Sequence, residues 1–242
     1  MQAAPPIPKL RLAAHVRACN ADGQTILLDL RRNRYLGVSR QASAAMAALV
    51  QDWPIGLSPN EVPRAPADEL VRRFIAQGLL TDAASDLPPT PAAEEATASL
   101  ESLNPVDAGP NLATGARPVV HFLTSAALAA WWLRSRSLYF IALKVAARRE
   151  RLTAPTSSSI DALRSAAAVY EKLRPLGFTA RERCLHDSLT LVCFLAAQGL
   201  RARWVVGVKT SPFGAHAWVQ CGNSVLNDQH EYVRAFHPIL VA

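Results

Sequence analysis

At 242 residues, half of them apolar, the chain is long enough for one large or two small packed domains, which excludes a wholly disordered protein. Its four cysteines, at 19, 184, 193 and 221, show neither Cys-x-x-Cys spacing nor an even framework; this argues against a disulfide scaffold and a zinc site and for a reducing compartment. The net charge of +7 divides into +3 for residues 1–82, −5 for 83–116 and +9 for 117–242, so the last segment either suits an acidic partner or carries a solvated basic surface.

The start, Met1-Gln2-Ala3-Ala4-Pro5-Pro6, has no basic stretch followed by an apolar run, so a cytoplasmic location is expected. Residues 14–18, 24–30 and 34–38 read as three short strands. Ser39 is placed to cap a helix over 41–50, and 68–77 predicts another, with Leu70, Val71, Phe74 and Ile75 on one apolar face and Gly78 ending it. Tyr35-Leu36-Gly37-Val38 running into the Ser39 helix resembles the small winged-helix-like PqqD leader-recognition module, three strands plus helices. That resemblance implies a leader peptide added as an extra strand at the 34–38 edge, contacted by Arg34, Tyr35, Leu36, Val38, Leu70 and Phe74. Two other readings stay open, a small domain that only stabilises its neighbour and a DNA-binding winged helix. The second ranks lower because residues 41–50 carry no basic side chain.

Residues 83–116 hold five prolines from Pro88 to Pro110 and no Lys, Arg or aromatic residue, and read as an extended acidic linker between a domain at 1–82 and one at 117–242. From Pro118 the chain turns apolar. The uncharged run stops at Arg134 after 16 residues, short of the roughly 20 a membrane span needs. Two helices, 118–133 and 137–150, are expected instead, with membrane-surface association a minor reading. Ser159 is expected to cap a third helix that Pro175 stops.

Thr179-Ala180-Arg181-Glu182 has the form of a capping box, which places Cys184 within the first two turns of a helix. There the free N–H groups, the helix dipole, Arg181 and Arg183 all favour a thiolate. After Gly199, residues 203–208, 215–220 and 224–228 read as strands. With a three-residue loop, Cys221-Gly222-Asn223, His216 falls directly opposite Asp228; a two-residue Gly-Asn turn would send Asp228 to the other face, so a thiol-imidazole-carboxylate site requires the longer loop.

Cys184 at a helix start, a Gly-Val strand, His216-Ala217-Trp218-Val219 on the next and Asp228 on the one after resembles the transglutaminase-like cysteine peptidases, and among them the leader peptidases of lasso-peptide biosynthesis, the B proteins. The resemblance covers roughly 117–242. Gln220 departs from it, where the family often has an acidic residue, and is given no catalytic role. The fold expected is α+β: the winged-helix-like domain followed by a transglutaminase-like, papain-like α+β domain. The activity implied is cleavage of a leader from a ribosomal precursor peptide, with Cys184 as nucleophile, His216 as acid and base and Asp228 as its orienting partner. The partners implied are that precursor and a separate ATP-dependent lasso cyclase. No cofactor, metal, nucleic acid or membrane span is expected, and the absence of a Gly-x-x-x-x-Gly-Lys-Ser/Thr loop leaves any ATP dependence to the cyclase. Two alternatives stand beside this activity, acyl transfer to an amine and an inert peptide-binding scaffold.

Other polar residues have plainer readings. Cys193 should face the core, half a turn from Cys184; Cys221 should lie in the loop; His186 should be a surface residue. Asp187 and Ser188 share the face of Cys184 and either line a cleft or bond within the helix.

Overall fold

A computed structural model of the protein describes residues 10–54, 65–82, 95–99, 115–152, 157–176 and 184–242. The chain divides into two compact units, Met1–Pro89 and Thr90–Ala242. Both mix helices with sheet, as an α+β chain should.

In the first unit, β1 (Leu10–Leu12) is followed by a meander of β2 (Val16–Ala21), β3 (Gln24–Asp29) and β4 (Arg34–Val38). Ala21 pairs with Gln24 across Asp22 and Gly23, both at positive φ, the two-residue Asp-Gly hairpin that matches the twist of its strands. Helix α1 (Arg40–Ala47) starts at Ser39, whose hydroxyl accepts from the Ala42 N–H; it ends before the expected Val50 because Val50–Gln51 is a strand, β5. Helix α2 (Ala65–Ala76) leads through Gly78, φ +70°, into β6 (Leu80–Thr81), and β5, β1 and β6 form a second small sheet. The strand expected over 14–18 begins two residues later, at Val16, as β2. Leu27, Val38, Met46, Trp53, Val71, Phe74 and Leu79 make the core.

The second unit is built around one helix. After α3 (Ala116–Ser135), α4 (Leu138–Glu150, capped by Ser137), α5 (Ser157–Leu173) and a 3-10 turn (Arg174–Leu176) comes α6 (Cys184–Ala197). Helix α5 already includes Ser159, so that residue is not its start. Every residue of α6 from Asp187 to Leu195 is buried, because α3, α4 and α5 cover one side and β8 (Arg203–Thr210) and β9 (Phe213–Cys221) the other. The sheet order is β11-β8-β9-β10-β7, with β10 at Ser224–Val225, β11 at His237–Val241 and the short α7 (His230–Val233) between them. Its outer strand, β7 (Ala98–Ser99), comes from the acidic stretch read as linker and runs parallel to β10. No helix among the described residues is long and apolar enough to cross a membrane.

Candidate active site

Cys184 is the first described residue of α6; the Thr179–Glu182 capping box, Arg181 and Arg183 lie outside the described residues. Its half-buried sulfur meets the imidazole of His216 on β9 and the backbone N–H groups of Ala217 and Leu185. His216 Nε2 donates to Asp228 Oδ2 at 2.7 Å, which leaves Nδ1 as the ring nitrogen that can serve the thiol. The structure thus brings Cys184, His216 and Asp228 together, but by a different route from the one expected.

The β9–β10 turn has two residues, not three. Ser224 pairs with Cys221, Val225 with Gln220, and the Leu226 N–H donates to the Val219 carbonyl. Cys221 therefore closes β9 and is not in the loop. On that register strict alternation would turn Asp228 away from His216. The ladder ends at Val225, however, and the chain bends through 226–228, with the Asn227 side chain accepting the Val219 N–H at 2.8 Å in place of a strand partner. Freed from alternation, Asp228 turns back to the ring.

The electrostatics follow from these contacts. The His216 hydrogen bond outweighs burial and holds the Cys184 thiol below the ordinary thiol range, with the Ala217 and Leu185 N–H groups helping. Burial opposes the imidazolium, but the hydrogen bonds and charges of Asp228 and Cys184 outweigh it and raise the His216 pKa to about 9. Burial likewise opposes the Asp228 carboxylate; the His216 bond, the Gln229 N–H and the charges of His216 and Arg174 overcome it and keep the pKa below the usual range. Both shifts favour the thiolate-imidazolium pair over the neutral thiol and imidazole.

Aromatic rings fix the imidazole. Trp218 stacks on it with centroids 6.2 Å apart, and Tyr232 and Phe236 approach at 5.1 and 5.3 Å. Trp218 donates through Nε1 to Gln220 Oε1, and Gln220 donates to the Gly222 carbonyl, so the residue given no role holds the ring beside His216. Gly207, paired with His216, lacks the Cβ that would stand 2.8 Å from the Trp218 ring and 3.0 Å from Phe236 Cβ. The spacing of His216, Trp218 and Gln220, every second residue, carried this shared face in the sequence; Tyr232 and Phe236 had no comparable signal.

Asp187 and Ser188 do not line a cleft. Asp187 is buried, with Tyr170 donating to its Oδ1 at 2.8 Å and Arg174 ion-paired to its Oδ2 at 2.9 Å; this ties the first turn of α6 to the end of α5. Ser188 Oγ accepts from Trp204 Nε1. His186 is half-buried, near the Ala126 carbonyl. Cys193 is buried, and burial pushes its pKa up to about 11 despite Arg148. Among the described residues no group of three His, Cys, Asp or Glu side chains is placed to hold a metal ion.

In the first unit β4 is an edge strand of its sheet. Of the six residues expected there, Val38 and Phe74 are shut in the core, while Arg34, Tyr35, Leu36 and Leu70 keep accessible surface.

Comparison with known proteins bears on the second unit. The model of the transglutaminase-like superfamily matches residues 123–241. The microcin J25-processing protein McjB of Escherichia coli is 42% identical over 45 residues, 19% of this chain, and the chain spans only 22% of that relative. No solved structure matches the chain significantly. The C-terminal region, residues 123–241, therefore carries a transglutaminase-like domain, and the resemblance to the lasso-peptide B proteins stands on both matches.

Proposed function

We propose that the protein is a cysteine peptidase that removes the leader from a ribosomal precursor peptide during lasso-peptide maturation. The observation that carries this reading is the convergence of the Cys184 sulfur, the His216 ring and the Asp228 carboxylate. The Cys184 thiolate attacks the carbonyl carbon at the leader/core junction. As the tetrahedral species collapses, the C–N bond breaks and the His216 imidazolium gives its proton to the leaving amine, the new N-terminus of the core. Water then attacks the thioester and gives a proton to His216; the C–S bond breaks, returning the Cys184 thiolate, and the leader leaves with a free carboxylate. Asp228 holds the ring and stabilises its charged form. The Cys184 amide N–H is placed at a helix start to serve as one oxyanion donor.

The first unit binds the leader by strand addition at β4, with backbone hydrogen bonds supplying affinity. A separate ATP-dependent cyclase joins the new amine to a core carboxylate. The microcin-processing role named for the relative supports this substrate class.

The test is incubation with the precursor peptide encoded beside the gene, followed by mass spectrometry. Wild type should yield leader and core, whereas Cys184→Ala should bind the leader and cleave nothing. Equal cleavage by both removes the thiol mechanism; an amine adduct of the leader would instead identify an acyl transferase. Absence of thiolate reactivity at Cys184 towards iodoacetamide would leave only the scaffold reading.

A further inference from the structure

Helix α3 buries Phe122, Ser125, Ala129 and Trp132 and turns an apolar stripe outward. Val120, Leu123 and Trp131 are 54%, 53% and 52% exposed, and with Ala127 they follow one another at helical spacing. An ordinary surface helix does the reverse. The stripe is closed at one end by Arg117 and at the other by Arg134, about 25 Å apart along the axis at 1.5 Å per residue.

Its polar atoms are withdrawn as well. The Thr124 hydroxyl donates to the Val120 carbonyl at 2.8 Å and the Ser135 hydroxyl to the Trp131 carbonyl at 2.6 Å, so neither presents an unmet hydrogen to an apolar medium.

At the C-terminal end the stripe runs into cations lying over aromatic faces. Arg136 sits 5.3 Å from the Trp131 ring and 5.2 Å from Phe140, and Lys144 sits 5.4 Å from Phe140. Residues 116–152 carry seven basic side chains against one acid, Glu150, and α3 has no acid at all.

An exposed Trp, flanking aliphatics, ringed cations and self-satisfied hydroxyls are the features of a helix lying in the headgroup region of a bilayer. We infer that the outer face of α3, with Arg136 and Lys144, docks on an anionic membrane surface, the apolar stripe entering the headgroup boundary while the cations meet lipid phosphates. A partner protein of acidic surface would satisfy the charges but would leave an outward stripe of Val, Leu and Trp without a matching groove. Docking of this kind needs no span, in keeping with the absence among the described residues of a helix long and apolar enough to cross a membrane, and is independent of the peptidase reading.

The experiment is sedimentation of the purified full-length protein with unilamellar vesicles, of phosphatidylcholine alone or containing about 30% phosphatidylglycerol, a proportion that gives a bacterial-like negative surface. The protein should pellet with the anionic vesicles at least about tenfold more strongly than with neutral ones, and less at high salt. Trp131 is the exposed tryptophan among the described residues, so emission should shift to the blue on binding. Leu123→Asp should abolish pelleting and the shift, Trp131→Phe should weaken pelleting, and so should Arg134→Gln with Arg136→Gln. All four side chains are exposed, and circular dichroism verifies that the variants stay folded. Excess inorganic phosphate at matched ionic strength should not displace the protein, since headgroup phosphate alone is not the ligand. Failure to pellet, equal pelleting with both vesicles, pelleting unaffected by Leu123→Asp, or displacement by free phosphate each overturns the proposal.

Discussion

The two ends of α6 hold the same side chain in opposite chemical states. Cys184, in the first turn, meets an imidazole and two backbone N–H groups and ionises more readily than an ordinary thiol. Cys193, nine residues on, is buried among the helices with only Arg148 near its sulfur, at 3.8 Å, and burial raises its pKa to about 11. The residue type does not account for the difference, and the Leu185 N–H at the helix start accounts for only part of it. What differs is the neighbouring element: the edge of β9 with His216 on one side, the apolar faces of α3 and α4 on the other.

The largest effect should come from reading the two thiols directly. With a pKa of about 11, Cys193 is a thiolate in about one molecule in ten thousand at pH 7, whereas Cys184 ionises below the ordinary thiol range. Iodoacetamide mapped by peptide mass spectrometry should label Cys184 at lower pH than an ordinary thiol and leave Cys193 untouched in the folded protein. His216→Ala should move Cys184 labelling up towards ordinary thiol pH and lower leader cleavage by about 10³-fold or more, because the proton donor is lost with the ion pair. The sign for wild type is fixed by the two pKa directions: cleavage rises as the thiol ionises below its ordinary range and falls as His216 loses its proton near pH 9. Labelling of Cys193 as fast as Cys184 would break the contrast.

Next comes Asp187, which is 4% exposed and locks the reactive end of the helix. Asp187→Leu removes the carboxylate partner of Arg174 and Tyr170; Arg174 keeps Glu171 and the Tyr170 hydroxyl keeps the backbone carbonyl of residue 187, so the loss costs about 1–3 kcal/mol. Urea unfolding should show a lower midpoint with unchanged slope. At concentrations where the variant is folded, Cys184 labelling should slow while Cys193 stays unlabelled, because only the first turn is released.

Gly207→Ala acts from the strand side. The new methyl meets the Trp218 ring and the Phe236 backbone-proximal carbon, and overpacking of this sort costs about 1–3 kcal/mol. The displaced Trp218 pushes on His216, so cleavage should fall more than stability does. Equal cleavage rates would show that the aromatic frame does not position the ring.

How far the sequence foretold this site depends on the kind of signal. Helix α6 and strands β8 and β9 were legible because long apolar runs bounded by Gly199 and the Gly222 turn leave few alternatives. Strands β5, β6 and β7 have two residues each, too few to show any period, and they exist because a neighbouring strand offers an edge; the strand expected over 224–228 holds only Ser224–Val225, β10. Cys184, His216 and Asp228 were legible as a set, whereas the hairpin register that was to join them was not. Alternation was extended past Val225, where the ladder has already ended, and only the side chain of Asn227 shows how the strand is let go. The Tyr170–Arg174–Asp187 lock joins two helices through polar contacts and leaves no periodic trace.

The smallest effect belongs to Cys193→Ala, and it tests whether the two ends of α6 are separate. Loss of the sulfur removes a small buried apolar group, worth about 1 kcal/mol on the scale of minor core truncations. Arg148 loses one contact but keeps the Trp132 face, 5.1 Å below its guanidinium. The pH profile of Cys184 labelling should then overlay that of wild type, since no group that sets the Cys184 ionisation touches Cys193. A shifted profile would mean that packing nine residues away reaches the thiolate through the helix, so that the reactive end is tuned by the core and not by β9 alone.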